Sequence, residues 1–303
     1  MQFGIMLPHA SDDTSPESLA AVARAAEEMG FYSLWVADHI VVPDTPEYIS
    51  RRNFFEPLTV LSYMAAITQR IRLGTSILVL PYRNPIVTAK IIATLDVLSQ
   101  ARLILGVGPG GVEPEFKALG VKKNERGKLT DEYLDIMKTL WREEKPSFHG
   151  RYHNFDDIRF EPKPKQTPHP PIWVGGNRLA AIRRAVEQGD GWNPVRKPIA
   201  ELRQDVDTLH RLAQDKGRDG QLTVALTTGL RLSESDLPQE GRVSLQGSLA
   251  QVIEDLHGYA RIGVSHIILN FGSDALETLK SMERLAELVL PHMTEALSNE
   301  AKA

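Results

Sequence analysis

An aspartate and a histidine follow an apolar run at the point where a buried strand would end. The run "SLWVA" is followed at once by Asp38 and His39. An imidazole in this position can donate a hydrogen bond to a bound ring system, or exchange a proton with it. Alternatively, Asp38 caps a loop and His39 packs beneath it. We predict that both residues serve catalysis, because functional side chains gather at the ends of parallel strands.

The stretch "LILGVGPGGV" joins a candidate strand to a glycine-rich turn. Gly106, Gly108 and Gly111 match the G-x-G-x-x-G spacing of dinucleotide-binding turns. In those proteins the turn follows the first strand, and an acid ends the next strand. Here the turn follows the fourth strand, Asp131 falls in a predicted helix, and Pro109 removes an amide donor. The spacing therefore indicates a different phosphate-handling turn, not a nicotinamide site.

A second glycine turn, formed by Gly175, Gly176, Asn177 and Arg178, joins a predicted strand to a helix. Two glycines let backbone amides approach a ligand, and the N-terminus of the helix favours an anion. The alternative is a tight turn that binds no ligand. We predict an anion site here, to which Arg178 adds positive charge.

Small residues end the third predicted strand, in the sequence "GTSILVLPYRNP". Gly74, Thr75 and Ser76 leave room for a flat ring against the backbone, although close packing alone would also require small residues. Two further acids, Glu113 and Glu115, are candidates for acid catalysis or for simple stabilisation of a helix N-terminus. From the residues alone, both questions stay open.

The composition excludes several classes of protein. The 303 residues contain no cysteine, so thiolate catalysis, disulfides and cysteine-bound metals are excluded. The histidines show no metal-ligand spacing, and there is no Walker or nucleophile-elbow motif, so no metal is predicted. A net charge of -4 argues against a nucleic-acid partner. The chain shows neither a secretory signal nor an apolar run near the roughly 20 residues that cross a bilayer, so we expect no membrane partner and a cytoplasmic location.

Eight short apolar runs alternate with helical patterns along the chain. The runs are "QFGIML", "YSLWVADH", "IRLGTSILVL", "RLILGVG", "PIWVGGN", "GDGWNP", "LTVALTTGLRL" and "SHIILNFG". Helices are predicted to begin at Ser15-Pro16 and Asn84-Pro85, and the last to run over 275–293. Repeats of this kind, with strands apolar on both faces, predict a single (β/α)8 TIM barrel over residues 1–303. Residues 145–170, with many prolines and aromatics, are predicted to form a loop-and-hairpin excursion.

Several of these segments together resemble the luciferase-like monooxygenase superfamily, and within it the coenzyme F420-dependent oxidoreductases. The segments are "FYSLWVADHIVVP", "RIRLGTSILVLPYRNPIVTAKIIATLDVLSQARLILGVGPGGVEPEF", "ERGKLTDEYLDIMKTLW", "FHGRYHNFDDIRFEPKP", "PHPPIWVGGN" and "GDGWNP". They span most of residues 31–194, and the rest of the chain fits strands six to eight. As a set they are specific for the superfamily, and much less specific for the cofactor or the substrate.

The resemblance implies a bacterial-luciferase-like barrel that holds a flavin-type ring at the carboxyl-terminal mouth of its strands. It implies a cis peptide bond between Ser76 and Ile77 behind the ring, and it places Asp38 and His39 beside the reactive edge. It also implies that the phosphate-bearing tail of the cofactor contacts both glycine turns. The residues in those contacts are Gly108, Pro109, Gly110, Gly175, Gly176, Asn177 and Arg178.

Gly111 marks a departure from one branch of the superfamily. Sugar-phosphate dehydrogenases of that branch carry a catalytic glutamate just after the strand-four glycines. This chain has Gly111 there, and Glu113 is displaced by two residues. Pro114 likewise replaces a polar side chain that in those relatives can reach the cofactor. The resemblance therefore argues against sugar-phosphate dehydrogenase activity.

The resemblance implies hydride transfer between F420 and a small organic substrate, with His39 as the proton-transfer group. F420 is a deazaflavin, which transfers hydride and reacts poorly with oxygen because carbon replaces the central ring nitrogen. One alternative is a monooxygenase that uses reduced FMN and O2, and another is a cofactor-binding barrel without chemistry of its own. Apolar faces on the second and third helices suit a homodimer, which relatives often form, although packing against the barrel also needs apolar faces.

Overall fold

Eight parallel strands close into one barrel in the computed structural model, which describes residues 1–45, 48 and 53–293. In chain order the strands are β1 (Gln2–Met6), β2 (Ser33–Val36), β3 (Arg72–Thr75), β4 (Leu103–Gly108), β5 (Ile172–Gly175), β6 (Gly191–Asn193), β7 (Thr223–Thr228) and β8 (His266–Leu269). Each strand pairs with the next, and β1 pairs with β8, with Gln2 opposite His266. The predicted (β/α)8 barrel is confirmed.

Helices connect the strands and cover the outside of the barrel. They are α1 (Pro16–Glu28), α2 (Pro57–Ile67), α3 (Pro85–Leu98), α4 (Glu113–Ala118), α5 (Arg126–Arg142), α6 (Leu179–Gln188), α7 (Ile199–Asp215), α8 (Leu249–Arg261) and α9 (Ala275–Leu288). None of the helices in the described part of the chain combines the length and the apolar character that crossing a membrane requires.

The helix starts follow from local chemistry. The Ser15 side chain accepts a hydrogen bond from the Ser18 amide at the start of α1, and Asn84 caps α3 in the same way. Both caps satisfy amides that have no partner within the helix, and both are followed by proline in the first turn. These starts agree with the sequence prediction. The last helix differs slightly, because α9 ends at Leu288 and a separate helical segment follows over 290–293.

The third predicted strand is interrupted at its middle. β3 ends at Thr75, the peptide bond between Ser76 and Ile77 is cis, and the chain resumes as the short strand Leu78–Val79 beside β4. The cis bond agrees with what the resemblance implies. The interruption leaves Ser76 and Ile77 at the carboxyl-terminal mouth of the barrel, where both line a cavity.

Between α5 and β5 the chain forms a short antiparallel hairpin, in which Phe148–His149 pairs with Asn154–Phe155. The Glu132 carboxylate on α5 accepts hydrogen bonds from the amides of Arg151 and Tyr152, at 2.7 and 2.9 Å. One carboxylate therefore ties the turn of the hairpin to α5.

Tryptophans fill the middle of the barrel. Trp35 on β2 and Trp173 on β5 stack with their ring centroids 5.2 Å apart, and His266 contacts the edge of each. Gly4 and Gly74 leave room for Trp35, because a Cβ at either position would stand 2.4 Å from its indole ring. The middle of the barrel is therefore a packed core.

His266 makes the stability of this core depend on pH. Its ring is buried beside Ser33, with Nε2 2.9 Å from Oγ, and burial lowers its pKa from 6.5 to about 3. The native state therefore binds fewer protons than the unfolded chain, so stability is full above pH 6.5 and is lost as the pH falls toward 3. From this group we expect the free energy of unfolding to drop by roughly 2 kcal/mol between pH 7 and pH 5, measured by urea denaturation.

The matched variant for this prediction is His266→Gln. Its amide keeps an acceptor for the Ser33 hydroxyl, which itself accepts from Trp35 Nε1 at 2.7 Å, and it removes the titrating group. The variant should be less stable than the native protein at pH 7, and its unfolding free energy should change little between pH 7 and pH 5. The same pH slope in both proteins would contradict the assignment to His266.

The outer face of α3 is apolar. Val87, Ile91 and Leu98 lie on one side of this helix, and they are 57, 39 and 63% exposed. The homodimer expected from the sequence stays a prediction, which light scattering in solution would test.

Candidate active site

Two cavities meet at the mouth of the barrel, where Ser76 and Val195 line both. The larger, called here the long groove, has a volume of about 800 Å³. Its lining is Ser76, Ile77, Pro109, Gly110, Gly111, Lys123, Arg126, Gly127, Gly175, Gly176, Asn177, Arg178, Ala180, Ala181, Arg184 and Val195. The smaller, called here the inner cavity, measures about 220 Å³. Besides the shared pair, it is lined by Met6, Leu7, Pro8, His9, Ala10, Ala37, Phe54, Arg196, Thr227, Thr228, Asn270, Gly272 and Ser273.

The long groove brings together eight of the ten residues predicted to bind the cofactor. Those eight are Ser76, Ile77, Pro109, Gly110, Gly175, Gly176, Asn177 and Arg178. The other two, Gly108 and Asp38, lie outside its lining, as does the predicted catalytic residue His39. Among the described residues, the structure holds no cluster of histidine and acidic side chains suited to a metal ion.

The side chain of Ile77 is wedged between two of the predicted glycines. A Cβ at Gly108 would stand 2.1 Å from Ile77 Cδ1, and a Cβ at Gly175 would stand 2.4 Å from Ile77 Cγ2. Both glycines are therefore required by the position of Ile77. Gly108 does not line the groove, but its missing side chain leaves space for Ile77, which does.

Ser76 belongs to a polar network at the junction of the two cavities. Its hydroxyl donates to Asn193 Oδ1 at 3.2 Å and lies 3.0 Å from Thr227 Oγ1. The Asn193 amide in turn donates to the Ala225 carbonyl at 3.0 Å. These bonds join the ends of β6 and β7 to the segment after β3. The sequence reasoning missed Thr227, the fifth residue of β7.

Four cationic side chains line the long groove, and only Arg178 was predicted to do so. Arg184 is held by Asp131, with Nε 2.5 Å from Oδ1, and Lys123 pairs with Glu113 at 3.0 Å. Arg126 and Arg178 pair with no carboxylate in the part of the chain that the structure describes. The groove therefore carries net positive charge. The basic residues of "KKNER", which follow the first glycine turn, were the available signal for Lys123 and Arg126.

Asn177 fixes one end of the junction. Its side-chain amide donates to the Val195 carbonyl at 2.8 Å, and its Oδ1 accepts from the Val195 amide at 2.8 Å. The neighbouring Gly176 has a φ of +126°, and its carbonyl accepts from Trp192 Nε1 at 2.8 Å. The second glycine turn is thus locked to the end of β6. Both ends of the Asn177 side-chain amide are therefore hydrogen-bonded within the protein.

His39 lies at the end of β2 beside the inner cavity. Its ring is 22% exposed and contacts the edge of Phe54, which lines that cavity, at 4.7 Å between centroids. Tyr48 contacts the ring from another side at 5.5 Å. The Nδ1 atom lies 3.0 Å from Oε2 of Glu115. His39 is therefore held by a carboxylate and two aromatic rings.

Glu115 on α4 is a buried carboxylate with four hydrogen-bond donors. Oε1 accepts from the amides of Ile40 and Val41 at 2.6 and 3.2 Å, and Oε2 faces His39 and the Tyr82 hydroxyl, each at 3.0 Å. Burial alone would raise the pKa of Glu115, but the bonds from His39 and the Ile40 amide bring it below its usual range. Burial, together with the Glu115 charge, raises the pKa of the Tyr82 phenol, which therefore stays a donor.

Asp38 lines neither of the two cavities. Its Oδ2 accepts from the Val79 amide at 2.8 Å, and its Oδ1 accepts from Arg83 at 2.6 Å. Arg83 also pairs with Glu56 at 2.9 Å. Burial raises the pKa of the Asp38 carboxyl, and the Arg83 guanidinium opposes the rise. The contacts of Asp38 are those of a residue that positions the end of β2.

His9 lines the inner cavity, although the sequence reasoning did not single it out. Its Nδ1 lies 2.8 Å from the Leu7 carbonyl, and its Nε2 accepts from the Ala37 amide at 3.0 Å. Its ring meets Phe54 edge-on, with centroids 5.2 Å apart. The signal was its place just after the first strand, in "IMLPH".

The sequence and the fold together identify the family. Residues 1–242 match the model of the family described as "Luciferase-like monooxygenase". The chain is 35% identical over 281 residues to an F420-dependent glucose-6-phosphate dehydrogenase of Kineococcus radiotolerans, covering 91% of this chain and 77% of the relative. The chain therefore belongs to the luciferase-like monooxygenase family, a family of oxidoreductases.

The relatives of this chain differ in the cofactor that their names give. An FMNH(2)-dependent dimethylsulfone monooxygenase of Pseudomonas putida is 28% identical over 202 residues, covering 66% of this chain and 54% of that protein. An uncharacterized protein of Mycobacterium tuberculosis is 32% identical over 238 residues, covering 73% of this chain and 81% of that protein. Relatives of this chain thus include both F420-dependent and FMNH2-dependent enzymes.

Solved structures show the same fold. The monooxygenase RslO1 from Streptomyces bottropensis superimposes with a TM-score of 0.82 at 24% identity, covering 97% of this chain and 100% of that one. The coenzyme F420-dependent tetrahydromethanopterin reductase from Methanopyrus kandleri gives 0.79 at 20% identity, covering 96% and 99%. At these identities the likeness concerns the fold alone.

Proposed function

We propose that this protein is an F420-dependent oxidoreductase that transfers hydride between the deazaflavin and a small organic substrate. The observation that carries the proposal is the charge of the long groove. F420 ends in a phosphodiester and a tail of carboxylates, whereas FMN ends in a single phosphate. Lys123, Arg126, Arg178 and Arg184 line the groove, and Arg126 and Arg178, which pair with no carboxylate among the described residues, offer two separate contacts to such a tail.

The described residues fit a flat ring at the inner end of this groove. Ile77 forms part of the wall of the groove, and Gly110 and Gly111 line it without a side chain. When bound, F420 supplies a ring carbon that accepts or donates hydride. In the proposal Ile77 supports the ring, and Arg126 and Arg178 hold the anionic tail.

The inner cavity is the proposed place of the substrate. Its volume of about 220 Å³ suits a small organic molecule, and it meets the long groove at Ser76. Phe54 supplies an apolar wall, while Thr228 and Asn270 supply polar groups that orient a bound molecule. His39 contacts Phe54 and is the proposed proton-transfer group.

A sugar phosphate is not the proposed substrate. Gly111 stands where the sugar-phosphate dehydrogenases carry their catalytic glutamate, and a Cβ there would have no protein atom within 4 Å. Glu113, two residues further, is exposed and pairs with Lys123. The Kineococcus radiotolerans relative therefore supports the cofactor in this proposal, and not the substrate.

A monooxygenase that uses reduced FMN and O2 is the second candidate. The Pseudomonas putida relative supports it, since it matches 66% of this chain. Reduced FMN reacts with oxygen at its ring, whereas a reduced deazaflavin reacts poorly with it. The identity of the bound cofactor therefore decides between the two reactions.

The test is a fluorescence titration of the purified protein with oxidised F420 and, separately, with FMN. We expect F420 to bind more tightly than FMN and to lose affinity as salt is added, because the tail contacts are ionic.

Arg126→Ala and Arg178→Ala should each weaken F420 binding by about tenfold, as expected for a charged hydrogen bond.

The matched control is Arg211→Ala, which removes an arginine from the exposed side of α7. It should leave both affinities unchanged. Tight FMN binding without F420 binding would overturn the proposed cofactor in favour of the monooxygenase. If neither cofactor binds and His39 substitution changes no activity, the barrel has no chemistry of its own.

A further inference from the structure

We infer that Glu115 is the positioning residue for His39, holding Nδ1 as a hydrogen-bond donor so that Nε2 is the atom that takes or gives the proton. The inference deepens the proposed function and rests on its proton-transfer step.

The surroundings of Glu115 keep its carboxyl group ionised. Its side chain is fully buried, and its oxygens face four donors: the amides of Ile40 and Val41, the Tyr82 hydroxyl and His39 Nδ1. Amides can only donate, and a carboxylate that accepts several such bonds stays ionised. An ionised carboxylate only accepts, so the His39 nitrogen that faces it carries a proton.

The orientation of the His39 ring is fixed by its neighbours. His39 has two ring nitrogens, and a neutral ring with its proton on Nδ1 keeps a lone pair on Nε2. The edges of Phe54 and Tyr48 contact the ring, and Glu115 holds the two following amides as well as Nδ1. One carboxylate therefore fixes residues 39–41 together. The ring is fixed by packing and by this bond.

Glu115 faces the His39 ring from α4, and Tyr48 contacts the ring from the loop after β2. The Tyr82 phenol donates to the same oxygen of Glu115. The Asp38 carboxylate, although adjacent in sequence, is bound to Arg83 and to the Val79 amide. Glu115 is thus the carboxylate that stabilises an imidazolium at His39.

A proton taken up at Nε2 would leave a positive charge on the His39 ring, whose Nδ1 lies 3.0 Å from the Glu115 carboxylate. A bound deazaflavin would supply the hydride chemistry. Glu115 would act by orienting the His39 ring and by stabilising its imidazolium form.

The test is Glu115→Gln, read out first without any cofactor. Nitrogen-15 NMR of the histidine rings, with the His39 signals assigned by their loss in His39→Asn, should show the proton on Nδ1 in the native protein. In Glu115→Gln that single protonated form should be lost. In the turnover of a substrate with bound F420, kcat should fall by about 10- to 100-fold and the pH profile should shift, while KM changes less.

Two further variants keep the inference falsifiable if Glu115→Gln folds poorly. Tyr82→Phe removes one donor from Glu115 but leaves the His39 bond, so the Nδ1 proton should remain. Glu201→Gln, the same chemical change on the exposed start of α7, should alter neither readout. A native protein with its His39 proton on Nε2, or an unchanged kcat in Glu115→Gln, would overturn the inference. Failure of F420 to bind would instead count against the proposed function, since the NMR result does not depend on the cofactor.

Discussion

Replacing His39 with asparagine is expected to lower kcat by about 10²- to 10⁴-fold, the usual contribution of a general acid–base group. The His39 side chain contacts Phe54, which lines the inner cavity, and it does not line the long groove. The affinity for F420 should therefore stay within about threefold of the native value. Asparagine keeps a polar group near Glu115 and removes the imidazole, which is the proposed proton-transfer group. Steady-state kinetics and a fluorescence titration of F420 measure the two quantities separately.

The matched control is His149→Asn, which makes the same change in the exposed hairpin between α5 and β5. It should leave kcat unchanged. If His39→Asn keeps the native kcat, another group must move the proton, and His39 would then be a packing residue beneath the loop. A loss of F420 affinity as large as the loss of kcat would also contradict a proton-transfer role.

Replacing Arg83 with methionine is expected to destabilise the protein by about 3–5 kcal/mol, the cost of leaving a buried charge without its partner. The Asp38 side chain is fully buried, and Arg83 binds both of its oxygens, at 2.6 and 3.3 Å. Methionine retains much of the arginine volume, so the loss reports mainly on charge. Urea unfolding at pH 7 measures the change.

The pH dependence of this variant gives a second check. Without Arg83, burial raises the pKa of Asp38 further above its unfolded value, so the native state binds more protons than the unfolded chain. The stability deficit should therefore shrink as the pH falls from 7 toward 5. Adding Asp38→Asn to Arg83→Met should recover part of the loss at pH 7. Arg211→Met on α7 is the control, and an Arg83→Met loss no larger than that of the control would contradict the prediction.

The fold was predictable because its signals are local. Two signals depend on neighbouring residues only. One is the apolar run of a strand that is buried on both faces, and the other is a helix cap before a proline, as at Ser15 and Asn84. The third strand shows the limit of this reasoning. Its apolar run continues through Ile77, so hydrophobicity alone predicts an unbroken strand, and only the family resemblance indicates the cis bond after Ser76.

The site was predictable where it depends on strand ends and not where it depends on distant pairing. Eight residues of the two glycine turns and the cis bond line one groove, because the carboxyl ends of the strands meet at one mouth. Arg83 lies 45 residues from Asp38, and Glu115 lies 76 residues from His39. No spacing rule links such pairs. From its place at a strand end, Asp38 is predicted to be catalytic. Its hydrogen bonds with Arg83 become visible only in the structure.

Gly111 has a consequence for how this barrel diversifies. A Cβ at this position would meet no protein atom within 4 Å, and its φ lies outside the left-handed region that disfavours side chains. A carboxylate could therefore be gained or lost here without repacking the core or straining the backbone. Two of the four glycine codons become a glutamate codon by a single base change, so one mutation from such a codon would place a carboxylate in this open space.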